Sequence, residues 1–234
     1  MRQTPSALML FAAGFGTRMG ALTANKPKPL LTLGGQTLID RALDIGIAAG
    51  ITNTVVNLHY LGDQIATHLS GRKDISLSWE RDNILETGGG LRQALPLLGK
   101  DPVYTLNPDV VWVGPNPLMQ LRNAWDNASM DALLLLLPMA SVKGRDGRAD
   151  FLLAPDGRIT RAGRTGHHLY IGAQIIRTEG LAAIPDTAFS LNLLWDQMIA
   201  QNRAFGLIYH GSWCDIGTPQ GLSYAETMLA GHNV

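Results

Sequence analysis

Hydrophobic and polar positions alternate regularly in the first 138 residues, where short apolar runs are followed by amphipathic segments. The apolar runs predict strands at 7–11, 53–58, 102–106 and 131–137, and alternation of apolar and polar residues predicts another at 75–79. Helical spacing of apolar residues predicts helices at 37–49, 61–69, 88–98 and 117–128. This alternation predicts an α/β fold, with a Rossmann-like, mostly parallel sheet flanked by helices. In such sheets, ligands bind beyond the carboxyl ends of the strands.

The segment 37–49 carries the clearest helix signals. Thr37 followed by Asp40 resembles a capping box in which Asp replaces the usual Glu. Apolar residues recur on one face of the segment, and Gly50 follows it as a helix terminator.

After Pro138 the elements become shorter and richer in turns. The pattern predicts a hairpin at 151–153 and 158–161, a strand at 168–177, a helix beginning near Ser190, strands at 205–209 and 213–216, and a last helix ending near 229. We expect one domain, residues 1–234, in which 139–234 form a small β-rich appendage on the sheet built by 1–138.

Composition excludes several classes of protein. Lys and Arg (19) balance Asp and Glu (19), which argues against binding long nucleic acids because these require a basic face. The single cysteine, Cys214, excludes an internal disulfide and a Cys-cluster metal site. The apolar run at 132–137 is far shorter than the roughly 20 residues that span a bilayer. We therefore expect a cytoplasmic protein with no membrane partner.

A glycine-rich loop, Ala12 to Gly20, follows the first predicted strand. Glycines in this place let backbone N–H groups approach phosphates. A P-loop would need Gly-Lys-Ser/Thr, which is absent. The dinucleotide fingerprint fails because Met19 occupies the position of its last glycine, and the second strand ends in NLH at 57–59 without an acidic residue. A nicotinamide-dependent oxidoreductase is therefore disfavoured.

A triphosphate-binding loop explains more of these residues. Arg18 lies in the loop, and Lys28 follows ten residues later between Pro27 and Pro29. Arginine can bind phosphate oxygens through two parallel hydrogen bonds, and lysine adds a point charge. The prolines fix φ, so the chain carrying the ammonium group is restrained.

The strings LFAAGFGTRM at 10–19 and KPKPL at 26–30 together resemble the signature of sugar-phosphate nucleotidyltransferases, also called nucleotide-sugar pyrophosphorylases. LETGGG at 85–90 resembles the base-recognition turn of this family, NPD at 107–109 its first metal aspartate, and WCDIGTP at 213–219 its second. The resemblance covers about residues 7 to 225. It implies the nucleotide-diphospho-sugar transferase type of fold, with nucleotide binding in 1–138 and sugar-phosphate binding in 139–234.

The resemblance also implies roles for individual residues. Asp109 and Asp215 would hold Mg²⁺, the expected cofactor, which takes phosphate oxygens and waters as its other ligands. Arg18 would neutralise the leaving pyrophosphate and Lys28 the α-phosphate region. The nucleotide would be contacted by Ala12, Ala13, Gly14, Gly16, Thr17, Thr87, Gly88 and Gly89.

The sugar-binding residues are predicted from position alone, as Asp150, Gly172 and Asn192. Many family members carry a Glu followed closely by Lys near the sugar, whereas this chain has RITR at 158–161. Pro108 replaces the usual glycine before the metal aspartate, which removes one backbone N–H.

The partners implied are a nucleoside triphosphate and a sugar 1-phosphate, bound by a monomer or small homo-oligomer. The strongest resemblance is to short bacterial members that use UTP and N-acetylmuramate 1-phosphate in cell-wall recycling. Mannose 1-phosphate guanylyltransferases come next. A catalytically silent nucleotide-binding module remains an alternative.

Overall fold

Two hydrophobic cores, one on each face of a central sheet, follow from the apolar composition of its strands. In the first strand, Leu8 and Leu10 belong to one core, while Ala7 and Met9 belong to the other. Because side chains alternate along a strand, a strand covered on both faces is apolar at successive positions. The computed structural model describes residues 5–99, 102–142, 148–163 and 165–231.

The described residues form short strands and helices in alternation. The strands are β1 (Ala7–Phe11), β2 (Thr32–Leu33), β3 (Gln36–Thr37), β4 (Asn53–Leu58), β5 (Ile75–Trp79), β6 (Val103–Leu106), β7 (Val110–Val113), β8 (Ala132–Pro138), β9 (Phe151–Leu153), β10 (Ile159–Arg161), β11 (His168–Ile176), β12 (Ala204–Ile208) and β13 (Ser212–Asp215). The helices are α1 (Leu38–Ala48), α2 (Gly62–Leu69), α3 (Glu86–Leu98), α4 (Pro117–Ala124), α5 (Asn192–Ala200) and α6 (Pro219–Ala230).

Parallel strands form the centre of the main sheet, whose order is β10-β9-β11-β6-β1-β4-β5. β6, β1, β4 and β5 are parallel, while β11 is antiparallel to β6 and to β8, and β12 pairs with β8. Residues of α1, α2 and α4 pack into one core, and residues of α3 and α5 into the other. The predicted α/β class, with a mostly parallel sheet flanked by helices, is confirmed.

Helix boundaries agree with the sequence where capping signals are strong. Thr37 caps α1, and its hydroxyl accepts a hydrogen bond from the backbone N–H of Asp40 at 3.2 Å. The helix predicted at 117–128 is wrong at its end, because α4 ends at Ala124 and Trp125 is extended, with ψ 126°. Asp126 then accepts the backbone N–H of Ala128 in a turn.

A two-stranded antiparallel ribbon of β7 and β13 lies beside the main sheet. Its register pairs Val110 with Asp215 and Val113 with Ser212. The sequence predicted β13 but not β7. None of the helices in the described ranges is both long enough and apolar enough to cross a membrane.

Candidate functional site

The glycine-rich loop leaves β1 at the carboxyl edge of the parallel strands and turns sharply at Gly16. Gly16 has φ +65°, and a Cβ on it would lie 3.1 Å from Cβ of Lys28. Glycine is therefore required here both by the backbone conformation and by the close approach of Lys28. The Thr23 hydroxyl donates to the carbonyl oxygens of Gly16 (3.0 Å) and Gly20 (3.3 Å), which holds the loop closed.

The ammonium group of Lys28 is paired with the carboxylate of Asp109. Nζ lies 2.6 Å from Oδ2, with 9% of the lysine side chain and 30% of the aspartate side chain exposed. Pro27 and Pro29 on either side of the lysine are buried. The pair lines a pocket of about 180 Å³, which we call the phosphate pocket after the ligand that the sequence motifs predict for it. Its other lining residues are Phe11, Ala12, Gly14, Gly16, Thr17, Arg18, Pro29, Pro108 and Gly217.

Arg18 lies against the turn that follows β13. A Cβ on Gly217 would lie 2.9 Å from Nη1 of Arg18 and 3.0 Å from its Cζ. Because residue 217 has no side chain, the guanidinium group of Arg18 can lie against it at the phosphate pocket. Arg18 itself is exposed.

The β7–β13 ribbon brings the two predicted metal aspartates together. Asp109 immediately precedes β7, Asp215 ends β13, and the backbone N–H of Ile216 donates to the carbonyl oxygen of Asp109 at 2.9 Å. Asp215 is buried, with 6% of its surface exposed. Residues far apart in sequence therefore become neighbours. Asp109 lines the phosphate pocket, whereas Asp215 is not among the residues that line it.

A second pocket of about 180 Å³ adjoins the first and shares Phe11, Gly14 and Asp109 with it. We call it the nucleoside pocket. Its other lining residues are Ala13, Asn57, Glu80, Ile84, Glu86, Thr87 and Asn107.

Six residues that line the nucleoside pocket were not among the predicted site residues: Phe11, Asn57, Glu80, Ile84, Glu86 and Asn107. Glu86 has φ +58°, a strained conformation for a residue other than glycine. The available signal was the position of Asn57 and Glu80 at or just after the carboxyl ends of β4 and β5, because strand ends of this kind carry ligand-binding residues.

The glycines at 88–90 are explained by packing inside the protein. A Cβ on Gly88 would overlap the Phe189 ring, and one on Gly89 would overlap the carbonyl oxygen of Thr187. The N–H groups of Gly88 and Gly89 donate to the Phe189 carbonyl at 2.8 and 3.2 Å. Contact of Gly88 and Gly89 with a base stays a prediction.

Thr87 lines the nucleoside pocket, and its hydroxyl oxygen accepts the Leu191 N–H at 3.0 Å. The hydroxyl hydrogen of Thr87 therefore remains available to a ligand. Ala12 differs, because its N–H donates to Oδ1 of Asn57 at 2.7 Å and is not available.

The predicted sugar-binding residues lie at different distances from these pockets. Gly172, with φ +89°, lies at a bulge in β11 beside Asn107, and its carbonyl accepts the Asn107 N–H at 2.8 Å. Asp150 accepts the Tyr170 N–H at 2.9 Å, and burial raises the pKa of the Tyr170 phenol. Asn192 donates from its side chain to the Ser190 hydroxyl. None of these three residues is among those that line the two pockets described above.

Cys214 is buried between the site and α6. Its thiol donates to the carbonyl oxygen of Gly221 at 3.4 Å, and burial raises its pKa to about 11. A thiol with a raised pKa is a poor nucleophile, so Cys214 fills space in the core.

Comparison with known proteins places this site in a family. A model of the MobA-like NTP transferase domain matches residues 8–156. The N-acetylmuramate alpha-1-phosphate uridylyltransferase of Caulobacter vibrioides is 38% identical, covering 98% of this chain and 99% of that protein. The protein of the same name from Neisseria meningitidis serogroup B is 34% identical, covering 94% and 96%. Mannose-1-phosphate guanyltransferase of Hypocrea jecorina is 26% identical, covering 91% and 61%.

Solved structures show the same fold at low sequence identity. HddC from Yersinia pseudotuberculosis complexed with GMP-PN has a TM-score of 0.76 and 18% identity, covering 96% of this chain and 99% of that chain. UDP-glucose pyrophosphorylase complexed with UDP-glucose has a TM-score of 0.78 and 15% identity, covering 97% and 99%. The resemblance stated from the sequence motifs is confirmed. The chain belongs to the MobA-like NTP transferase domain family and is a nucleotidyltransferase.

Proposed function

We propose that the protein transfers a nucleotidyl group from UTP to N-acetylmuramate 1-phosphate and releases pyrophosphate. Nucleotidyl transfer onto a sugar 1-phosphate is supported by relatives that match over nearly the whole chain. The choice of UTP and of the muramate sugar rests on the names of those two relatives. This activity would place the enzyme in the cytoplasm, in the recycling of cell-wall amino sugars.

The observation that carries the proposal is the junction of the two pockets. The phosphate pocket holds Arg18 and Lys28, and the nucleoside pocket adjoins it at Phe11, Gly14 and Asp109. A nucleoside triphosphate that fills both pockets would have its α-phosphorus near this junction. The sugar phosphate would then approach from the side of Gly172 and Asn107.

The chemistry needs positioning and charge neutralisation. An oxygen of the sugar 1-phosphate attacks the α-phosphorus, and the bond from that phosphorus to the bridging oxygen of pyrophosphate breaks. The nucleophile is already anionic, so no side chain has to remove a proton. Lys28 would neutralise charge at the α-phosphate, and Arg18 would bind the departing pyrophosphate. The ammonium group of Lys28 would be a donor in place before the reaction, since it is already held beside Asp109.

The residues present fit a magnesium ion. Asp109 and Asp215 offer carboxylate oxygens from paired strands, and oxygen is the donor that Mg²⁺ prefers. The described part of the chain contains no group of three or more His, Cys, Asp or Glu side chains suited to a metal. Two carboxylates suit an ion that completes its shell with waters and phosphate oxygens. Mg²⁺ would supply neutralisation of the phosphate charge.

A pyrophosphate-release assay tests the proposal. The protein with Mg²⁺ is given each of UTP, GTP, CTP and ATP in combination with the 1-phosphates of N-acetylmuramate, N-acetylglucosamine, glucose and mannose. UTP with N-acetylmuramate 1-phosphate should give the highest kcat/KM. Highest turnover of GTP with mannose 1-phosphate would instead assign the guanylyltransferase activity of the more distant relative. Tight UTP binding without turnover of any pair would mark a silent nucleotide-binding module.

A further inference from the structure

Three hydrogen bonds, two of them buried and the third partly buried, connect the glycine-rich loop to the turn before α3. The backbone N–H of Ala12 donates to Oδ1 of Asn57, and Nδ2 of Asn57 donates to Oε1 of Glu80, each at 2.7 Å. The backbone N–H of Leu85 donates to Oε2 of Glu80, also at 2.7 Å. Asn57 is 3% exposed and Glu80 is 2% exposed, so water does not compete for these groups. We call these residues the Asn57–Glu80 relay.

The direction of each hydrogen bond in the relay is fixed by its two ends. Both ends are backbone N–H groups, which can only donate. Asn57 must therefore turn its oxygen toward Ala12 and its NH₂ group toward Glu80. Each carboxylate oxygen of Glu80 then faces a donor, the NH₂ group of Asn57 at Oε1 and the N–H of Leu85 at Oε2. An ionised carboxylate accepts both hydrogen bonds. A glutamine in its place would present its own NH₂ group to one of these donors and lose a hydrogen bond.

A contribution to the stability of the fold does not by itself explain why residue 80 is a glutamate. Both hydrogen bonds that its side chain receives come from neutral donors, and a buried charge has a large desolvation cost. Helix α3 also packs tightly on the relay, since a Cβ on Gly90 would lie 2.6 Å from Oε1 of Glu80 and 3.0 Å from Nδ2 of Asn57. A fully satisfied buried polar network fixes relative positions more narrowly than apolar contacts do.

The relay, whose residues Asn57 and Glu80 themselves line the nucleoside pocket, joins two segments that form walls of this pocket. Phe11, Ala13 and Gly14 line it from the glycine-rich loop, and Ile84, Glu86 and Thr87 line it from the turn before α3. The two anchored N–H groups, those of Ala12 and Leu85, lie within these two segments.

We propose that Asn57 and Glu80 are positioning residues that set the separation of the two walls and thereby the affinity for the nucleoside triphosphate. The proposal rests on the proposed function for the identity of the ligand. The relay should affect binding of the triphosphate alone, so changes at Asn57 or Glu80 should leave the KM for the sugar 1-phosphate unchanged.

A cycle of isosteric variants tests the relay. Glu80→Gln should raise the KM for UTP roughly tenfold, as expected for one buried donor left unpaired, and leave the KM for the sugar 1-phosphate unchanged. Asn57→Asp places two carboxylates face to face and should also weaken UTP binding. The double variant Asn57→Asp/Glu80→Gln restores all three hydrogen bonds with the charge moved to position 57. Its KM for UTP should return to within about threefold of wild type, since all donors again have acceptors.

A matched control separates positioning from simple loss of stability. Gln174 is fully buried, donates to the Thr105 hydroxyl and accepts the Trp195 indole N–H, away from the nucleoside pocket. Gln174→Glu makes the reverse isosteric change, and it should lower Tm without changing the KM for UTP. Equal shifts in the KM of both substrates in Glu80→Gln, or no recovery in the double variant, would overturn the proposal.

Equilibrium titration with UTP distinguishes failure of this inference from failure of the proposed function. If wild-type protein turns over no substrate pair, the proposed function is wrong, and the Kd for UTP across the same four proteins still tests the relay. Weaker binding in both single variants with recovery in the double variant supports the relay. A Kd that is the same in all four proteins overturns it.

Discussion

The ammonium nitrogen of Lys28 lies 2.6 Å from Oδ2 of Asp109, across 81 positions of the sequence. In the proposed reaction the same carboxylate would also hold the magnesium ion. Binding of the metal and triphosphate would therefore offer Lys28 phosphate oxygens in place of the carboxylate. The side chain is in position before substrate arrives, because Pro27 and Pro29 restrict the backbone on both sides of it.

Replacing Lys28 with methionine keeps the apolar stem and removes the charge. We expect kcat for pyrophosphate release to fall on the order of 10²–10³-fold, because a preorganised donor is lost from the transition state. Lys26→Met is the matched control, since Lys26 is exposed in the same segment. This substitution should change kcat by less than about twofold. Steady-state kinetics measure both, and nearly full activity in Lys28→Met would contradict the assignment.

Asp109→Asn and Asp215→Asn test the proposed metal site. Removal of Mg²⁺ with a chelator should abolish activity, and each variant should lose at least about 100-fold in kcat, because a metal ion supplies several kcal/mol of charge stabilisation. Asp63→Asn, an exposed carboxylate in the first turn of α2, should behave like wild type. The metal assignment fails if chelated enzyme keeps its full rate.

Gly217→Ala tests the place given to Arg18. The new methyl group would lie 2.9 Å from Nη1, so the guanidinium group must move while the backbone keeps its conformation. We expect normal Tm and a kcat/KM lower by roughly tenfold, the value of one displaced charged hydrogen bond. Gly71→Ala, where nothing lies within 4 Å of the added Cβ, is the control. Unchanged kinetics in Gly217→Ala would show that Arg18 does not need this position.

Gly88→Ala separates the two explanations for the glycines before α3. Because the methyl group would overlap the Phe189 ring, we expect destabilisation of about 1–3 kcal/mol. For a chain of this size that lowers Tm by roughly 2–12 °C. Thermal unfolding measures the change against Gly71→Ala. If Gly88 serves instead to make room for a base, Tm should hold and the KM for UTP should rise.

The sequence predicts the central strands well because burial on both faces leaves a local mark. The segments 7–11 and 53–58, which are buried at nearly every position, coincide with β1 and β4. The partly exposed strand β5 coincides with the segment 75–79, which is recognised by its alternating pattern instead. The N-terminal cap of α1 is equally local, because Thr37 and Asp40 are three residues apart. By contrast, β7 is a short apolar run whose partner strand lies about a hundred positions later, and nothing nearby identifies it.

The site could be predicted only where motifs carry chemistry by themselves. Arg18, Lys28, Asp109 and Asp215 stand in recognisable strings, and the structure brings them to one edge of the sheet, although their roles stay predictions. Glu80 stands just after a predicted strand, which marks it as a candidate site residue, but its neighbours in sequence give no sign that its carboxylate is buried. The glycines at 88–90 were equally ambiguous, since the Phe189 ring that excludes a side chain at Gly88 comes from a segment a hundred residues away.

The β7–β13 ribbon also has a consequence for the order of folding. Strands β1, β4, β5 and β6 form a sheet from contacts within the first half of the chain, whereas Asp109 meets the segment of Asp215 only when β13 docks. Long-range pairings of this kind close late, because the entropy of a long loop opposes them. When the unfolded chain refolds, secondary structure should therefore return before catalytic activity. The delay between the two would measure how long β7 and β13 take to pair.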